Sequence, residues 1–280
     1  MSPARAGEFQ LNDRLSFKRF VGLEFNHRVP DCNTIWNFKQ SLTKDDNERK
    51  LFNRFYKVLE EKKLIVSEGK MADASFHEVP RQRNSREENK ELKEGIVPKA
   101  WEGKKLSHKD IDARWTNKNN ETFYGYKNHV KADTGSKFID AYEVTSANVH
   151  DSNTLEKLLD EKDQGQELHG DSAYSGKDQQ ATINKVEMIN RIHEKGYKNR
   201  ALTEEQKANN RKKSSKRARV EHIFGFIENT MKGTYIRTIG IARAKVNIGI
   251  TNLVYNICRA IQLKIDMFTG DKCVQSLKME

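Results

Sequence analysis

Three acidic residues of this 280-residue sequence stand in contexts where a carboxylate does chemistry. Asp73 lies in a predicted strand, Asp171 ends a short predicted strand beside Gly170, and Glu221 begins an amphipathic helix. An ionised carboxylate in or beside a core is costly unless a cation compensates it. Two Mg²⁺ ions held by carboxylates supply that compensation, and they activate the attacking oxygen and stabilise the leaving oxygen of a phosphodiester. This chemistry needs three acids that converge from separate elements.

Taken alone, these acids are a weak signal, because any three of 40 acidic residues are more simply explained as solvated charges. The concentration of positive charge beside one of them adds information. Arg191–Arg219 carries +8 of the net charge of +11, and Lys207–Arg219 holds seven cations and no acid. A charge run is commonly a solvated face. Because this run leads directly into the helix of Glu221, we favour contact with the DNA backbone.

The overall composition predicts a soluble, globular and basic protein. The 51 Lys and Arg exceed the 40 Asp and Glu, and 13 Phe, 8 Tyr and 3 Trp argue against disorder. There is no run of 18 apolar residues, and the opening MSPARAGEFQ lacks the apolar middle of a secretory signal. These features exclude a membrane span and predict a cytoplasmic protein. Cys32, Cys258 and Cys273 form no CxxC pair, so neither a zinc knuckle nor a disulfide framework is expected.

The elements that position the acids divide into two parts. Leu11–Leu64 is predicted to be a small all-α module, in which Asn33 or Thr34 caps one helix and Asp45–Lys63 forms another. Strands and helices then interleave, which indicates an α/β core. The predicted strands are Lys70–Val79, Phe123–Lys131, Phe138–Thr145, a brief strand up to HGDSAY and a strand around Glu187–Ile192. The predicted helices are a short one capped by Asp151 or Ser152 and two closing ones, Val220–Met231 and Ala242–Ile265.

Two features of this core carry further expectations. Residues 81–118 hold 18 charges and few apolar residues, which predicts a solvated excursion. In Phe123–Lys131, apolar and aromatic positions alternate with Lys127, His129 and Lys131. This period of two predicts a sheet with one covered face.

Several longer segments resemble one known family, the bacterial insertion-sequence DDE transposases, in the insertion sequence five branch of the insertion sequence four/five superfamily. They are RLSFKRFVGL and VPDCNTIWNFKQSL in the helical module, then MADASF, DARWTNKNNETFYGYKNHVKAD, ANVHDS, GDSAYSG, RARVEHIFGFIENTMKG and ARAKVNIGITNLVYNICR. The resemblance covers roughly residues 12–264. Relatives begin their module earlier, and MSPARAGEF fits no part of the family pattern, so we expect an N-terminally shortened chain.

The resemblance implies a ribonuclease H-like catalytic core, a mixed sheet with flanking helices, after the all-α module. Residues 1–66 would be a partial DNA-binding module, 67–265 the catalytic domain with its excursion at 81–118, and 266–280 a tail. The family's metal-binding triad matches Asp73, Asp171 and Glu221, with 97 and 49 residues between them. Two Mg²⁺ ions, with Mn²⁺ as a substitute, and a homodimer on double-stranded DNA near the bacterial nucleoid are implied with it.

The family signature around its glutamate is matched only in part. The pattern is Tyr, two residues, Arg, three residues, Glu, six residues, Lys; Arg217 and Glu221 match, but Ser214 and Glu228 replace the Tyr and the Lys. Lys232, one helical turn past Glu228, either replaces the missing cation or is a solvated lysine. The predicted DNA-contacting residues are Arg211, Lys212, Lys213, Lys216, Arg217, Arg219 and Lys232.

Some residues keep two interpretations. His150 and Asp151 suit acid–base chemistry, but helix capping explains them more simply. His222 either touches a substrate phosphate or is a packed or solvated histidine. Trp101 and Trp115 either stack on bases or anchor the charged excursion to the core, which we favour.

These observations predict a transposase that cleaves DNA at transposon ends and joins the 3′-hydroxyls to target DNA. Two rival functions stay open. A magnesium nuclease of the ribonuclease H type would cleave without joining, and a catalytically inactive relic would only bind DNA.

Overall fold

The computed structural model of the chain describes residues 3–82, 84–118, 120–196 and 201–263. It divides into two compact units between Lys50 and Leu51. The first unit contains helices α1 (Pro3–Asp13), α2 (Leu15–Phe20) and α3 (Cys32–Ser41), and helix α4 (Asn47–Glu61) runs across the division.

The N-terminal cap of α3 differs from the prediction. Asp31 has extended backbone angles, and its carboxylate accepts a hydrogen bond from the Thr34 N–H at 2.7 Å. Asn33 and Thr34 already lie in the first turn, so the prediction that one of them caps the helix is wrong.

The second unit is built on one six-stranded mixed sheet. Its strands are β1 (Gly69–Glu78), β2 (Arg114–Lys118), β3 (Glu121–Asp133), β4 (Ile139–Ser146), β5 (Glu167–Gly170) and β6 (Ile189–Asn190). Along the sheet the order is β2-β3-β1-β5-β6, and β4 pairs with the second half of β3. The pairs β1–β5 and β5–β6 are parallel and the others antiparallel. All the predicted strands are confirmed, and β2 is an additional edge strand inside residues 81–118.

Helices and short turns flank this sheet. The helices are α5 (Arg86–Lys93), α6 (Gly103–Ser107), α7 (Leu155–Leu158), α8 (Lys177–Lys185), α9 (Glu204–Gly225) and α10 (Ile241–Gln262). Among the described residues, three 3₁₀ turns cover Asp151–Thr154, Glu161–Asp163 and Ser172–Tyr174, and a π-helical turn, Phe226–Thr230, follows α9 directly. No helix within the described ranges combines the length and the apolar character that a membrane crossing requires.

Both faces of the sheet are covered, which corrects the prediction of one covered face. On one face, Met71 and Val130 pack with Val220 of α9 and Ile248 of α10. On the other face, the cluster around Ala72 includes residues of α7 and α8. The two apolar clusters together give the sheet an interior position in the unit.

The cations that alternate along β3 are buried rather than solvated. The Lys131 Nζ is 2.5 Å from an Asp163 carboxylate oxygen. On the neighbouring strand β1, the Lys70 Nζ is likewise 2.6 Å from an Asp140 carboxylate oxygen. Buried charges are tolerated when they are paired in this way. Burial nevertheless dominates at Asp140 and raises the pKa of its carboxyl to about 6.

The excursion at 81–118 is partly packed, so the prediction that it is solvated is only partly right. Leu92 and Trp101 are buried. The Trp101 indole N–H donates to a Glu88 oxygen at 2.6 Å, and the Lys109 ammonium lies 4.8 Å from the ring centroid. The anchoring interpretation of Trp101 is therefore confirmed.

The helices after the sheet also depart from the prediction. Helix α9 begins at Glu204, not at Val220, because Thr203 and Gln206 form a capping box at its start. The basic run is consequently part of the helix that carries Glu221. Helix α10 agrees with the prediction to within its ends, whereas α8 had no predicted counterpart. The predicted 266–280 tail lies outside the described residues.

Candidate active site

The structure places Asp73 and Asp171 side by side on two neighbouring parallel strands. Asp73 lies within β1, and Asp171 directly follows the last residue of β5. The register pairs Ala72 of β1 with Gly170 of β5, so the next residue of each strand is an aspartate. One oxygen of Asp73 accepts the Ala74 N–H at 2.8 Å, and one oxygen of Asp171 accepts the Ala173 N–H at 2.8 Å. A nearby backbone N–H therefore orients each carboxylate through one oxygen, and the other oxygen takes no part in that hydrogen bond.

The surroundings of Asp73 are electrostatically mixed. Its side chain is largely buried, and this burial raises the pKa of Asp73 to about 6. The positive charges of Arg217 and Lys118 act in the opposite direction, while the negative charge of Asp171 adds to the increase. These influences place Asp171, Arg217 and Lys118 in the immediate electrostatic environment of Asp73.

Glu221 is held by an arginine of its own helix. The Arg217 guanidinium lies 3.0 Å from a Glu221 carboxylate oxygen, one helical turn away. The Glu221 side chain is 61% exposed. In the described ranges, no three His, Cys, Asp or Glu side chains are grouped closely enough to hold a metal ion. The structure thus unites two of the three predicted ligands and leaves the third with Arg217.

The donor set of the aspartate pair fits a hydrated divalent cation. Carboxylate oxygens are the ligands that Mg²⁺ prefers, usually one or two of them together with water. The Tyr174 hydroxyl is buried, has no hydrogen-bond partner among the described residues, and feels the charges of Asp151, Asp73 and Asp171. An unpartnered buried hydroxyl calls for a water or an ion beside it. The residues of this edge therefore suit a metal together with its water.

The six predicted DNA-contacting residues that lie on α9 fall into two groups. Four of them have partners inside the protein: the Lys213 ammonium donates to the Ile192 carbonyl at 2.9 Å, Lys216 to Glu167 at 2.8 Å, Arg217 to Glu221 at 3.0 Å and Arg219 to the Thr134 carbonyl at 2.6 Å. Arg211 and Lys212 are exposed, and within the described residues they form no ion pair. These two are the cations most available to a ligand.

Lys232 does not continue the helical path of Glu221 and Glu228. After the π-helical turn, the backbone turns, and Lys232 adopts a left-handed conformation with φ of 53°. Its predicted position one helical turn past Glu228 is therefore wrong, because the helix ends first. Its proposed contact with DNA stays a prediction.

His150 and Asp151 have structural roles, one as a cap of a 3₁₀ turn and the other as the partner of a lysine. The Ser152 N–H donates to the His150 ring at 3.3 Å, so His150 caps the 3₁₀ turn instead of Asp151 or Ser152. Asp151 accepts a hydrogen bond from the Lys127 ammonium at 2.8 Å. Lys127 could not be identified as a site neighbour from the sequence, since nothing local links positions 24 residues apart.

His222, the neighbour of Glu221, is exposed, so it is not a packed histidine. Its contact with a substrate phosphate stays a prediction.

Comparisons with known proteins identify the family of this chain. Residues 68–257 match the family model described as the transposase DDE domain. The chain belongs to this family. Residues 3–41 match a second model, a transposase domain designated DUF772. This match begins within MSPARAGEF, so the expectation that this segment fits no part of the family is wrong from Pro3 onward. No solved structure matches the chain.

Proposed function

We propose that this transposase hydrolyses DNA at the ends of a transposon and joins the resulting 3′-hydroxyls to target DNA. The observation that carries the proposal is the side-by-side position of Asp73 and Asp171, beside the helix of Glu221. The chain belongs to a transposase family, and adjacent carboxylates are what metal-assisted transfer of a phosphodiester requires.

Asp73 and Asp171 would hold Mg²⁺, and Glu221 would join them once it separates from Arg217. Mn²⁺ would substitute for Mg²⁺. When bound, two such ions activate the attacking oxygen and neutralise charge on the leaving oxygen. The backbone N–H groups of Ala74 and Ala173 hold one oxygen of each aspartate in place. The released Arg217 guanidinium would then contact a DNA phosphate, for which its planar fork is suited.

The sheet order supports a ribonuclease H-like core. Strands β4, β3 and β1 are antiparallel neighbours in the sheet, and the parallel strands β5 and β6 continue beyond β1. We infer that 67–265 is the catalytic domain, that 1–66 is a DNA-binding module, and that the chain belongs to the insertion sequence five branch.

A strand-transfer assay tests the function directly. Purified full-length chain is mixed with a duplex that ends in a pre-cleaved transposon 3′-hydroxyl, a supercoiled target plasmid and Mg²⁺. Joined product is expected. A parallel reaction contains the same end in uncleaved form. Cleavage of that end, with no joining in either reaction, would favour the ribonuclease H-type nuclease, and DNA binding without either reaction would favour the inactive relic.

The exposed cations of α9 are expected to contact DNA phosphates. The double replacement Arg211→Gln and Lys212→Gln should flatten the slope of log affinity against log salt by about 1.8, or roughly 0.9 for each lost phosphate contact. The weakening should be similar for different duplex sequences, as measured by fluorescence anisotropy at several salt concentrations.

The matched control is the double replacement Lys213→Gln and Lys216→Gln. Both lysines already have partners within the protein, so the slope of log affinity against log salt should change by less than about 0.9, the contribution of one phosphate contact. An unchanged slope in the Arg211 and Lys212 variant would show that these residues face away from DNA.

A homodimer is proposed from the surface of the first unit. Its exposed large apolar side chains are Phe9, Leu15, Phe17, Phe20, Val21, Phe25, Trp36 and Phe38. Exposed apolar surface on this scale is typical of an interaction site. Because a second copy supplies the same apolar surface, self-association buries both. Sedimentation velocity should show a dimer that Phe20→Ser with Phe25→Ser dissociates, while the exposed Ile261→Ser in α10 leaves it intact.

A further inference from the structure

His193 lies beside the two aspartates, one strand further along the sheet. Strand β6 pairs with β5 in parallel, and the chain keeps this register beyond β6, because the His193 N–H donates to the Gly170 carbonyl at 3.2 Å. In a parallel ladder, this bond places His193 opposite the residue that follows Gly170, which is Asp171. Asp171 in turn lies beside Asp73, since Ala72 pairs with Gly170. We refer to Asp73, Asp171 and His193 as the central row.

The side chains of the central row point to the face of the sheet that α9 covers. Along a strand, successive side chains point to opposite faces. The preceding row contributes Ala72 and Ile192 to the apolar cluster on the side of α7 and α8. Asp73 and His193, one residue later, therefore point to the opposite side. The contact with α9 agrees, since the His193 Nε2 lies 3.4 Å from the Ser214 hydroxyl oxygen.

The backbone around His193 is fixed to α9 at both neighbouring residues. The Lys213 ammonium donates to the Ile192 carbonyl at 2.9 Å. The Glu194 N–H donates to the Asn210 side-chain oxygen at 2.9 Å, and the Asn210 amide donates back to the Glu194 carbonyl at 3.1 Å. His193 is therefore held between β5 and α9, which gives its ring a defined position at the end of the central row.

The contact with Ser214 determines which ring nitrogen carries the hydrogen. The Ser214 hydroxyl donates its single hydrogen to the Asn210 carbonyl at 2.8 Å, so towards the His193 Nε2 it can only accept. Burial of the ring and two nearby cations lower the pKa of His193, against the charge of Asp171, which favours the neutral ring. A neutral ring with its hydrogen on Nε2 has a lone pair on Nδ1. This Nδ1 has no hydrogen-bond partner in the part of the chain that the structure describes.

We propose that His193 is a further residue of the active site and that its Nδ1 accepts a hydrogen bond from the attacking water of the cleavage step. Neighbouring strands lie about 4.8 Å apart, so a water held at Asp171 is within reach of the adjacent ring. An acceptor for one water hydrogen orients the water and leaves its lone pair free to face the phosphorus atom. This inference rests on the proposed function and adds to it the residue that orients the nucleophile.

Two substitutions separate the roles of the two ring nitrogens. The amide oxygen of asparagine can take the place of Nδ1, whereas the amide of glutamine reaches the place of Nε2. His193→Asn should therefore keep cleavage within about threefold of the wild type, and His193→Gln should lower it on the order of 100-fold, as a misplaced reacting group does. Cleavage is measured on the uncleaved transposon end with Mg²⁺. The affinity of both variants for the same DNA in EDTA should stay unchanged, because His193 has no assigned phosphate contact.

The matched controls are His108→Asn and His108→Gln. His108 is an exposed histidine after α6, and both exchanges should leave cleavage unchanged. If His193 only secured Ser214, the glutamine variant would cleave better than the asparagine variant, and the proposal would be overturned. Equal losses in both variants, with weaker DNA binding, would assign the ring to a phosphate and would overturn it as well.

NMR of the wild-type chain provides an independent measurement if His193→Gln fails to fold. Long-range proton–nitrogen spectra, assigned by comparison with His193→Asn, should show the hydrogen on Nε2. Mn²⁺ added below the protein concentration should broaden the His193 ring signals in the wild type and not in Asp171→Asn. A hydrogen on Nδ1, or no broadening in the wild type, would overturn the proposal.

The proposed function fails or holds separately. A chain that shows the difference between the asparagine and glutamine variants in cleavage but yields no joined product would refute strand transfer alone. A wild type that cleaves no DNA would refute the proposed function, and the NMR spectra would still decide the tautomer of His193 and its position beside the metal.

Discussion

Asp73→Asn, Asp171→Asn and Glu221→Gln are each expected to lower cleavage and joining by at least about 10³-fold, the equivalent of about 4 kcal/mol of transition-state stabilisation. Each exchange keeps the side-chain size and removes the charge that holds the metal. The amide oxygens of asparagine at 73 and 171 can still accept the Ala74 and Ala173 N–H bonds, so the backbone should be preserved. Combined variants should lose little more than single ones, because the three groups act as a unit.

Two exposed carboxylates supply the controls. Glu228→Gln lies seven residues after Glu221, and Asp178→Asn lies seven residues after Asp171. Both variants should keep near-wild-type product formation in a gel-based assay with Mg²⁺. If a triad variant kept comparable turnover, its residue would not be a metal ligand.

Metal-free Asp73→Asn is expected to be more stable than the wild type at neutral and higher pH. The pKa of Asp73 is about 6 in the folded protein, above its ordinary value of 3.8, chiefly because the group is buried. Its protonation therefore stabilises the fold fully below pH 4, and that contribution is lost as the pH rises through 6. At pH 8 the loss amounts to about 3 kcal/mol, at 1.36 kcal/mol for each pKa unit. Asparagine carries no charge, so the variant does not lose this stability at high pH.

Urea denaturation in EDTA at pH 4 and pH 8 measures this difference. The variant should match the wild type at pH 4 and exceed it at pH 8, while Asp178→Asn should track the wild type at both. Millimolar Mg²⁺ at pH 8 should then stabilise the wild type and not Asp73→Asn, since only the wild type retains the complete ligand pair. A variant less stable than the wild type at pH 8 in EDTA would contradict the buried-charge explanation.

The sequence predicted the elements that carry the two aspartates but not the register that unites them. The strand of Asp73 is recognisable because its apolar run is bounded by Gly69 and Pro80. The pairing of Ala72 with Gly170 joins positions 98 residues apart, and no local pattern specifies such a pairing. The family resemblance supplied the link that local reasoning lacked.

The cations of β3 show why local patterns misjudge burial. Alternating polar residues look the same whether they face water or distant carboxylates. The partner of Lys131 is Asp163, and the partner of Lys127 is Asp151; both come from turns that the sequence left without a fixed position. Helix α9 was predicted too short for a related reason, since a helix face rich in Lys, Asn and Ser has no apolar stripe to identify it.

The π-helical turn at Phe226–Thr230 changes how the incomplete family signature should be compared with other chains. Its hydrogen bonds span five residues in place of four, so the turn is wider than an α-helical turn and holds a supernumerary residue. Glu228 lies within this turn, so its angular position relative to Glu221 differs from that of the same residue in an α-helix, where each residue adds about 100°. In a chain with a regular α-helix here, the seventh residue after the glutamate would therefore lie at a different angle around the helix axis. The counterpart of the missing lysine should be sought by angular position around the helix axis, not by counting seven positions from Glu221.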